Sequence, residues 1–161
     1  MRSLASPRGF TLLETLIATG ILVTALAGVA QLFVLSSHLT RQANIAGAAL
    51  VAAQEKLEVL SGLTFEYDAA GSPITDASID VSPASSLDEN AGAWVDWIDA
   101  SGKSRATPDS AVFVRRWRVA SIAADPPDAV TIEVCVFRMP AEHADALAAD
   151  ACLSTVRTRQ P

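Results

Sequence analysis

The amino-acid sequence predicts an α+β fold, in which a long N-terminal helix packs by its second half on a small antiparallel sheet. No proline occurs between Pro7 and Pro73, so nothing interrupts a helix over residues 10–61. The second half of the chain contains strand-like runs separated by turn residues. Half of the 161 residues are hydrophobic and only 19% are charged, which excludes a disordered chain.

The first part of this helix has the composition of a membrane span. From Thr15 to Thr40, 26 consecutive residues include no Asp, Glu, Lys or Arg, and a spanning helix needs about 20. Arg2 and Arg8 precede the run, so the positive-inside bias places the N-terminus in the cytoplasm and the remainder across the membrane. That remainder, residues 62–161, carries 15 acidic and 8 basic residues.

Two general interpretations of this N-terminus are open. A secretory signal would be cut after Ala25-Leu26-Ala27, but the apolar run continues past that point through Leu35. A plain single-pass anchor fits the length but leaves Glu14 without a purpose. A carboxylate inside a membrane helix is costly and is usually functional.

A third interpretation comes from a motif. The run Arg8-Gly9-Phe10-Thr11-Leu12-Leu13-Glu14 resembles the signature of type IV prepilins and type II secretion pseudopilins, and the resemblance extends over residues 8–35. It implies a leader at residues 1–9, which a membrane prepilin peptidase removes between Gly9 and Phe10. It also implies N-methylation of Phe10. Glu14 then becomes the assembly glutamate, which pairs with the Phe10 amine of a neighbouring subunit and sets the register.

The helix has two predicted parts. Residues 10–40 form the transmembrane and assembly part. In this part Gly20, Thr24 and Gly28 make a stripe of small residues that is expected to serve helix packing. The alternative is that the stripe only reflects an Ala-rich composition. Residues 41–61 are amphipathic and present one apolar face to the head; a free coiled coil is the alternative. The expected face consists of Ala46, Leu50, Ala53, Leu57 and Leu60. We expect the helix to end near Ser61, with Gly62 as a left-handed C-cap.

Residues 62–161 form the predicted periplasmic head. Residues 66–92 are rich in Asp, Ser, Gly and Pro and predict a long exposed loop with one short strand at 79–81. Strands are predicted at 94–98, 112–119 and 129–137, with turns at 99–102 and 125–128. The last two strands resemble the R-x-W-x-V and V-x-V pair of PilV-type minor pilins and of the I subunits of type II secretion pseudopili.

Two pairs of residues in the head are candidates for structural roles. Cys135 and Cys152 are expected to form a disulfide in an oxidising periplasm; the alternative is a buried free thiol at Cys135. Trp94 and Trp97 are a candidate contact with an unlike subunit, because at least one is expected to be exposed. The alternative is that both belong to the core.

The sequence indicates no enzyme. It contains two histidines and no catalytic triad or phosphate-binding motif, so no catalytic residue, metal ligand or cofactor is predicted. Two weaker alternatives exist. The acidic residues between Asp76 and Asn90 could form a calcium site. The basic residues Arg115, Arg116 and Arg118 could bind nucleic acid.

The predicted function is therefore that of a minor pilin, which helps to prime or cap a type IV pilus. A minor pseudopilin of type II secretion is the alternative within the family, and a membrane-anchored periplasmic ligand-binding domain is the alternative outside it. The expected partners are the prepilin peptidase, other pilins or pseudopilins and the inner membrane. No nucleic-acid partner is expected, because the chain is acidic overall.

Overall fold

The computed structural model describes residues 10–123, 128–139 and 149–160. The chain divides into two units, Met1–Ala43 and Asn44–Pro161. The predicted leader with Gly9, and the predicted turn at 125–128 except for its last residue, lie outside the described residues.

One helix, α1, covers Leu12–Ser61, as the proline-free sequence predicts. In the first unit its large apolar side chains are exposed, and the helix is long and apolar enough to cross a membrane. Its threonine hydroxyls donate to carbonyl oxygens three or four residues earlier, for example Thr15 to Leu12 at 2.9 Å and Thr40 to Ser36 at 2.9 Å. Because these hydroxyls are satisfied within the helix, they are compatible with an apolar surrounding.

The described part of the head contains seven strands in two antiparallel sheets. A hairpin of β1 (Phe65–Tyr67) and β2 (Pro73–Thr75) forms the smaller sheet. The larger sheet has the order β4-β3-β5-β6-β7. Its strands are β3 (Val95–Asp99), β4 (Ser104–Arg105), β5 (Ala111–Ala123), β6 (Ala129–Arg138) and β7 (Ala151–Thr158). The α+β prediction is confirmed, although β4, β7 and the β1–β2 hairpin are not among the predicted strands.

The sheet buries residues on both faces. One face packs with the second half of α1 around Phe113, Trp117 and Val119, which alternate along β5. The opposite face forms a smaller cluster of Leu87, Val114, Cys135 and Phe137. The loop that contains Leu87 therefore covers the side of the sheet that α1 leaves open.

The buried face of α1 agrees only in part with the predicted one. Ala53, Leu57 and Leu60 face the core as predicted, but Ala46 and Leu50 are exposed, and Ala49 and Ala52 are buried instead. The physical reason is Arg115, whose Nη1 donates to the Ala52 carbonyl oxygen at 2.6 Å. The long Arg115 side chain lies against α1 at this point, and the small alanine side chains leave room for it.

Most residues of the segment 66–92 are exposed, as its composition predicts, but the segment is not a free loop. Ile79, Ser82, Ser86 and Leu87 are buried. The expected strand at 79–81 is wrong, because Ala77–Ile79 is a 3-10 helix; two more 3-10 helices cover Ala84–Leu87 and Gly92–Trp94. The Arg116 side chain, itself only 2% exposed, donates to the carbonyl oxygens of Leu87 and Asp88 and to Asn90 Oδ1, which holds the segment on the sheet.

The end of α1 also differs from the prediction. Gly62 is not among the described glycines with positive φ, which are Gly71, Gly92 and Gly102. Its N–H donates to the Glu58 carbonyl at 3.0 Å. The last carbonyls are capped by Arg157 on β7, which donates to the oxygens of Leu60 and Leu63.

Cys135 and Cys152 form the predicted disulfide. They are directly opposite residues of β6 and β7, so the bond ties the edge strand to the centre of the sheet. Cys135 is fully buried and Cys152 is exposed.

We expect the Cys135→Ala/Cys152→Ala double variant to unfold with a free energy about 2–4 kcal/mol lower than the wild type, because the bond restricts the unfolded chain. Urea denaturation of the full chain in detergent, with and without dithiothreitol, measures this difference. Reductant should lower the stability of the wild type and leave the variant unchanged. Equal stability of the two proteins under oxidising conditions would contradict the prediction.

Candidate functional site

The start of α1 is built around Glu14 and Thr11. The Thr11 N–H donates to Glu14 Oε2 at 3.0 Å, and the Glu14 N–H donates to Thr11 Oγ1 at 3.3 Å. This reciprocal pair is a capping box. Its Thr-x-x-Glu spacing is visible in the sequence, so the cap was predictable there in addition to the assembly role of Glu14. Phe10 precedes the box and is 87% exposed. The carboxylate is thus held at the helix start beside Phe10 and is open to its surroundings.

The Gly20, Thr24 and Gly28 stripe lies on an open part of the helix. A Cβ atom built on Gly20 or Gly28 would meet nothing within 4 Å. The Thr24 hydroxyl donates to the carbonyl oxygens of Gly20 and Ile21, at 3.1 and 2.8 Å. In the described part of the chain these positions have no packing partner, so their backbone is accessible to another helix.

Trp94 and Trp97 lie on opposite faces of the sheet. Trp94, at the end of the Gly92–Trp94 3-10 helix, packs against the cluster that includes α1. Trp97 packs against the opposite cluster with Leu87. Both side chains are half-buried. The structure therefore does not bring the two tryptophans together into one surface.

An ion-pair cluster that the sequence did not predict joins α1 to the sheet. Arg115 binds Asp96 through two parallel hydrogen bonds, from Nε to Oδ1 and from Nη2 to Oδ2, both at 2.9 Å. Glu55 on α1 lies 3.7 Å from Arg115 Nη1. Arg115 is only 3% exposed, so its charge depends on these partners.

Lys56 completes this cluster from the helix side. Its Nζ lies 3.3 Å from Asp96 Oδ2 and 3.6 Å from the centre of the Trp117 ring. Burial lowers the pKa of the Lys56 ammonium, and the nearby Asp96 carboxylate only partly opposes this effect. The three basic residues of β5 thus have separate roles, because Arg115 faces α1, Arg116 holds the 66–92 segment, and Arg118 pairs with Glu133 at 2.7 Å.

The acidic residues considered for calcium are used in other ways. Asp76 accepts the Ser78 N–H at 2.8 Å, and Glu89 accepts the Ser85 hydroxyl at 2.6 Å. Asn90 accepts from Arg116. Among residues 10–123, 128–139 and 149–160, no three His, Cys, Asp or Glu side chains are grouped to hold a metal ion.

Comparisons with known proteins do not assign this chain to a family. It matches no protein-family model, no curated protein and no solved structure. The functional argument therefore depends on the geometry of the helix start and of the head.

Proposed function

We propose that this protein is a minor subunit of a type IV pilus, anchored in the inner membrane with its head in the periplasm. The observation that carries the proposal is the start of α1. A carboxylate stands beside Phe10 at the beginning of a helix whose next charged residue is Arg41. This carboxylate belongs to the last residue of the Arg-Gly-Phe-Thr-Leu-Leu-Glu run, which resembles a prepilin signature.

The proposed assembly step follows from the chemistry of this start. Cleavage between Gly9 and Phe10 leaves the apolar helix on the protein and creates a new amine at Phe10, which is then methylated. When two helices lie side by side in lipid or in a filament, Glu14 of one pairs with that amine of the other. The open backbone at Gly20 and Gly28 allows the two helices a close approach.

The head supports a minor rather than a repeating subunit. Its 15 acidic and 8 basic residues would accumulate repulsion if thousands of identical heads packed together. A contact with unlike neighbours avoids this repulsion. The type II secretion pseudopilin remains the second candidate, since the same helix start serves both assemblies, and neighbouring genes for pilus assembly or for secretion distinguish the two.

Mass spectrometry of sheared filaments and of the membrane fraction, from a host with prepilin peptidase, tests the proposal. We expect a mature N-terminus at Phe10 that carries one methyl group, and a filament share far below that of the major subunit. A start at Gly28 would support the secretory signal instead. Dominance of this chain in the filaments would contradict the minor role.

A further inference from the structure

A groove in the head runs between the end of α1 and the β3–β4 hairpin. We call it the Trp94 groove; its volume is about 620 Å³, and Lys56, Val59, Leu63, Trp94, Arg105 and Trp117 are among the residues that line it. This volume falls in the range of ligand sites. Trp97, on the opposite face of the sheet, does not line it.

The groove is open to solvent and has apolar walls. Val59 on one rim is 55% exposed, and the Arg105 side chain near the opposite rim is also 55% exposed. Trp94 is half-buried and packs against the core cluster. A groove of this kind suits an apolar side chain of an extended segment, which enters from the side without any opening of the fold.

Two of the three charged side chains that line the groove, Lys56 and Arg105, are cations, and the third is Asp96. Lys56 makes one hydrogen bond to a described residue, at 3.3 Å to Asp96 Oδ2. Asp96 is already occupied, since its two oxygens also accept from Arg115.

The cationic side chains of the groove indicate the charge of the group that it binds. The Lys56 ammonium is partly desolvated, and the two carboxylates that act on it, Asp96 and Glu55, both also interact with Arg115, so a further carboxylate would stabilise its charged form. A cationic ligand would find Asp96 occupied and Lys56 repulsive. Charge complementarity therefore favours an anionic group next to an apolar side chain.

We propose that the Trp94 groove binds a peptide segment of a neighbouring, unlike filament subunit, in which a carboxylate stands beside an apolar side chain. The carboxylate contacts Lys56 and the apolar side chain packs on Trp94. The identity of this partner rests on the proposed function. The proposal narrows the predicted subunit contact to Trp94 and removes Trp97 from it.

Binding of two small probes tests whether the groove prefers a carboxylate. The probes are N-acetyl-leucine, which has a carboxylate, and N-acetyl-leucinamide, its uncharged amide. The full chain in nanodiscs carries Trp97→Phe, so that fluorescence reports Trp94 and Trp117, both of which line the groove. We expect the carboxylate probe to bind about tenfold or more tightly than the amide, as a charge-assisted hydrogen bond predicts. Lys56→Met should abolish this preference.

The chain offers a matched control, because its second lysine, Lys103, is exposed and does not line the groove. Lys103→Met should keep the full preference. Equal affinity of the two probes for the wild type, or a preference that survives Lys56→Met in a folded protein, would overturn the proposal. If Lys56→Met does not fold, Lys56→Arg replaces it; this variant retains the charge and should retain the preference, and its loss would overturn the proposal.

The source of the carboxylate is tested in cells. A photo-crosslinking amino acid replaces Ala93, an exposed residue of the groove lining. We expect an adduct with a second protein that mass spectrometry identifies as another filament subunit, lost with Lys56→Met and kept with Lys103→Met. No adduct, or one insensitive to Lys56→Met, would refute a peptide partner. If the protein is absent from filaments but still prefers the carboxylate probe, the proposed function is contradicted and the ligand chemistry of the groove is not.

Discussion

Replacement of Glu14 by glutamine should lower the share of this protein in sheared filaments by about tenfold or more, with its membrane pool and its cleavage unchanged. In the proposed assembly, Glu14 neutralises the Phe10 amine of a neighbouring subunit in an apolar surrounding. An amine left unpaired there costs well over the 1.4 kcal/mol that corresponds to a tenfold change. Quantitative mass spectrometry of filament and membrane fractions measures the ratio.

The capping box makes glutamine the informative replacement. The Glu14 carboxylate also accepts the Thr11 N–H within its own chain. A glutamine at this position preserves that cap, whereas Glu14→Ala removes both the cap and the charge. Loss of incorporation in both variants would assign the effect to the charge. Loss in Glu14→Ala alone would mean that Glu14 stabilises the helix start, and this would contradict the register role.

The elements that depend on local pattern were predictable from the sequence. A 50-residue helix follows from the absence of proline and from a long apolar run. β3, β5 and β6 follow from their β-branched and aromatic residues, and their observed bounds lie within four residues of the predicted ones. The disulfide was predictable from the expected compartment and from the loop that it closes.

The elements that depend on distant partners were not predictable. β7 has a mixed composition, and it forms because β6 offers its free edge and because Arg157 and Arg159 reach residues near the end of α1 and in the β1–β2 hairpin. Arg159 lies over the Phe65 ring at 4.1 Å, although 94 positions separate the two residues in the sequence. No local pattern reports a contact of this kind.

The same reason limits the prediction of the head's functional residues. Arg115, Arg116 and Arg118 form one basic cluster in the sequence, but neighbouring side chains of a strand point to opposite faces, so Arg115 and Arg116 serve different parts of the fold. Trp94, which precedes β3, and Trp97, which lies on it, also belong to clusters on opposite sides of the sheet. The Trp94 groove depends on α1, β3, β4 and β5 together, and so it is visible only in the folded chain.

The largest loss of stability in the head is expected from Arg115→Met. The substitution keeps most of the side-chain volume but leaves Asp96, only 14% exposed in its side chain, with Lys56 as its one remaining cationic partner. It also removes the donor to the Ala52 carbonyl oxygen. Removal of one member of a buried pair costs about 3–5 kcal/mol, so we expect a loss in this range.

Urea denaturation of the full chain in detergent, followed by tryptophan fluorescence, measures this loss, and Arg118→Met is the matched control on the same strand. The Arg118–Glu133 pair is more exposed, at 41% and 29% of the two side chains, so its removal should cost about 1 kcal/mol or less. A further variant, Arg115→Met/Asp96→Leu/Lys56→Met, removes the three poorly exposed charges of the cluster together and should recover part of the loss, because none of them then remains without its partner. If Arg115→Met and Arg118→Met lower the stability equally, the ion pair with Asp96 is not what holds α1 to the sheet, and the apolar contacts of Trp117 and the buried alanines must do so instead.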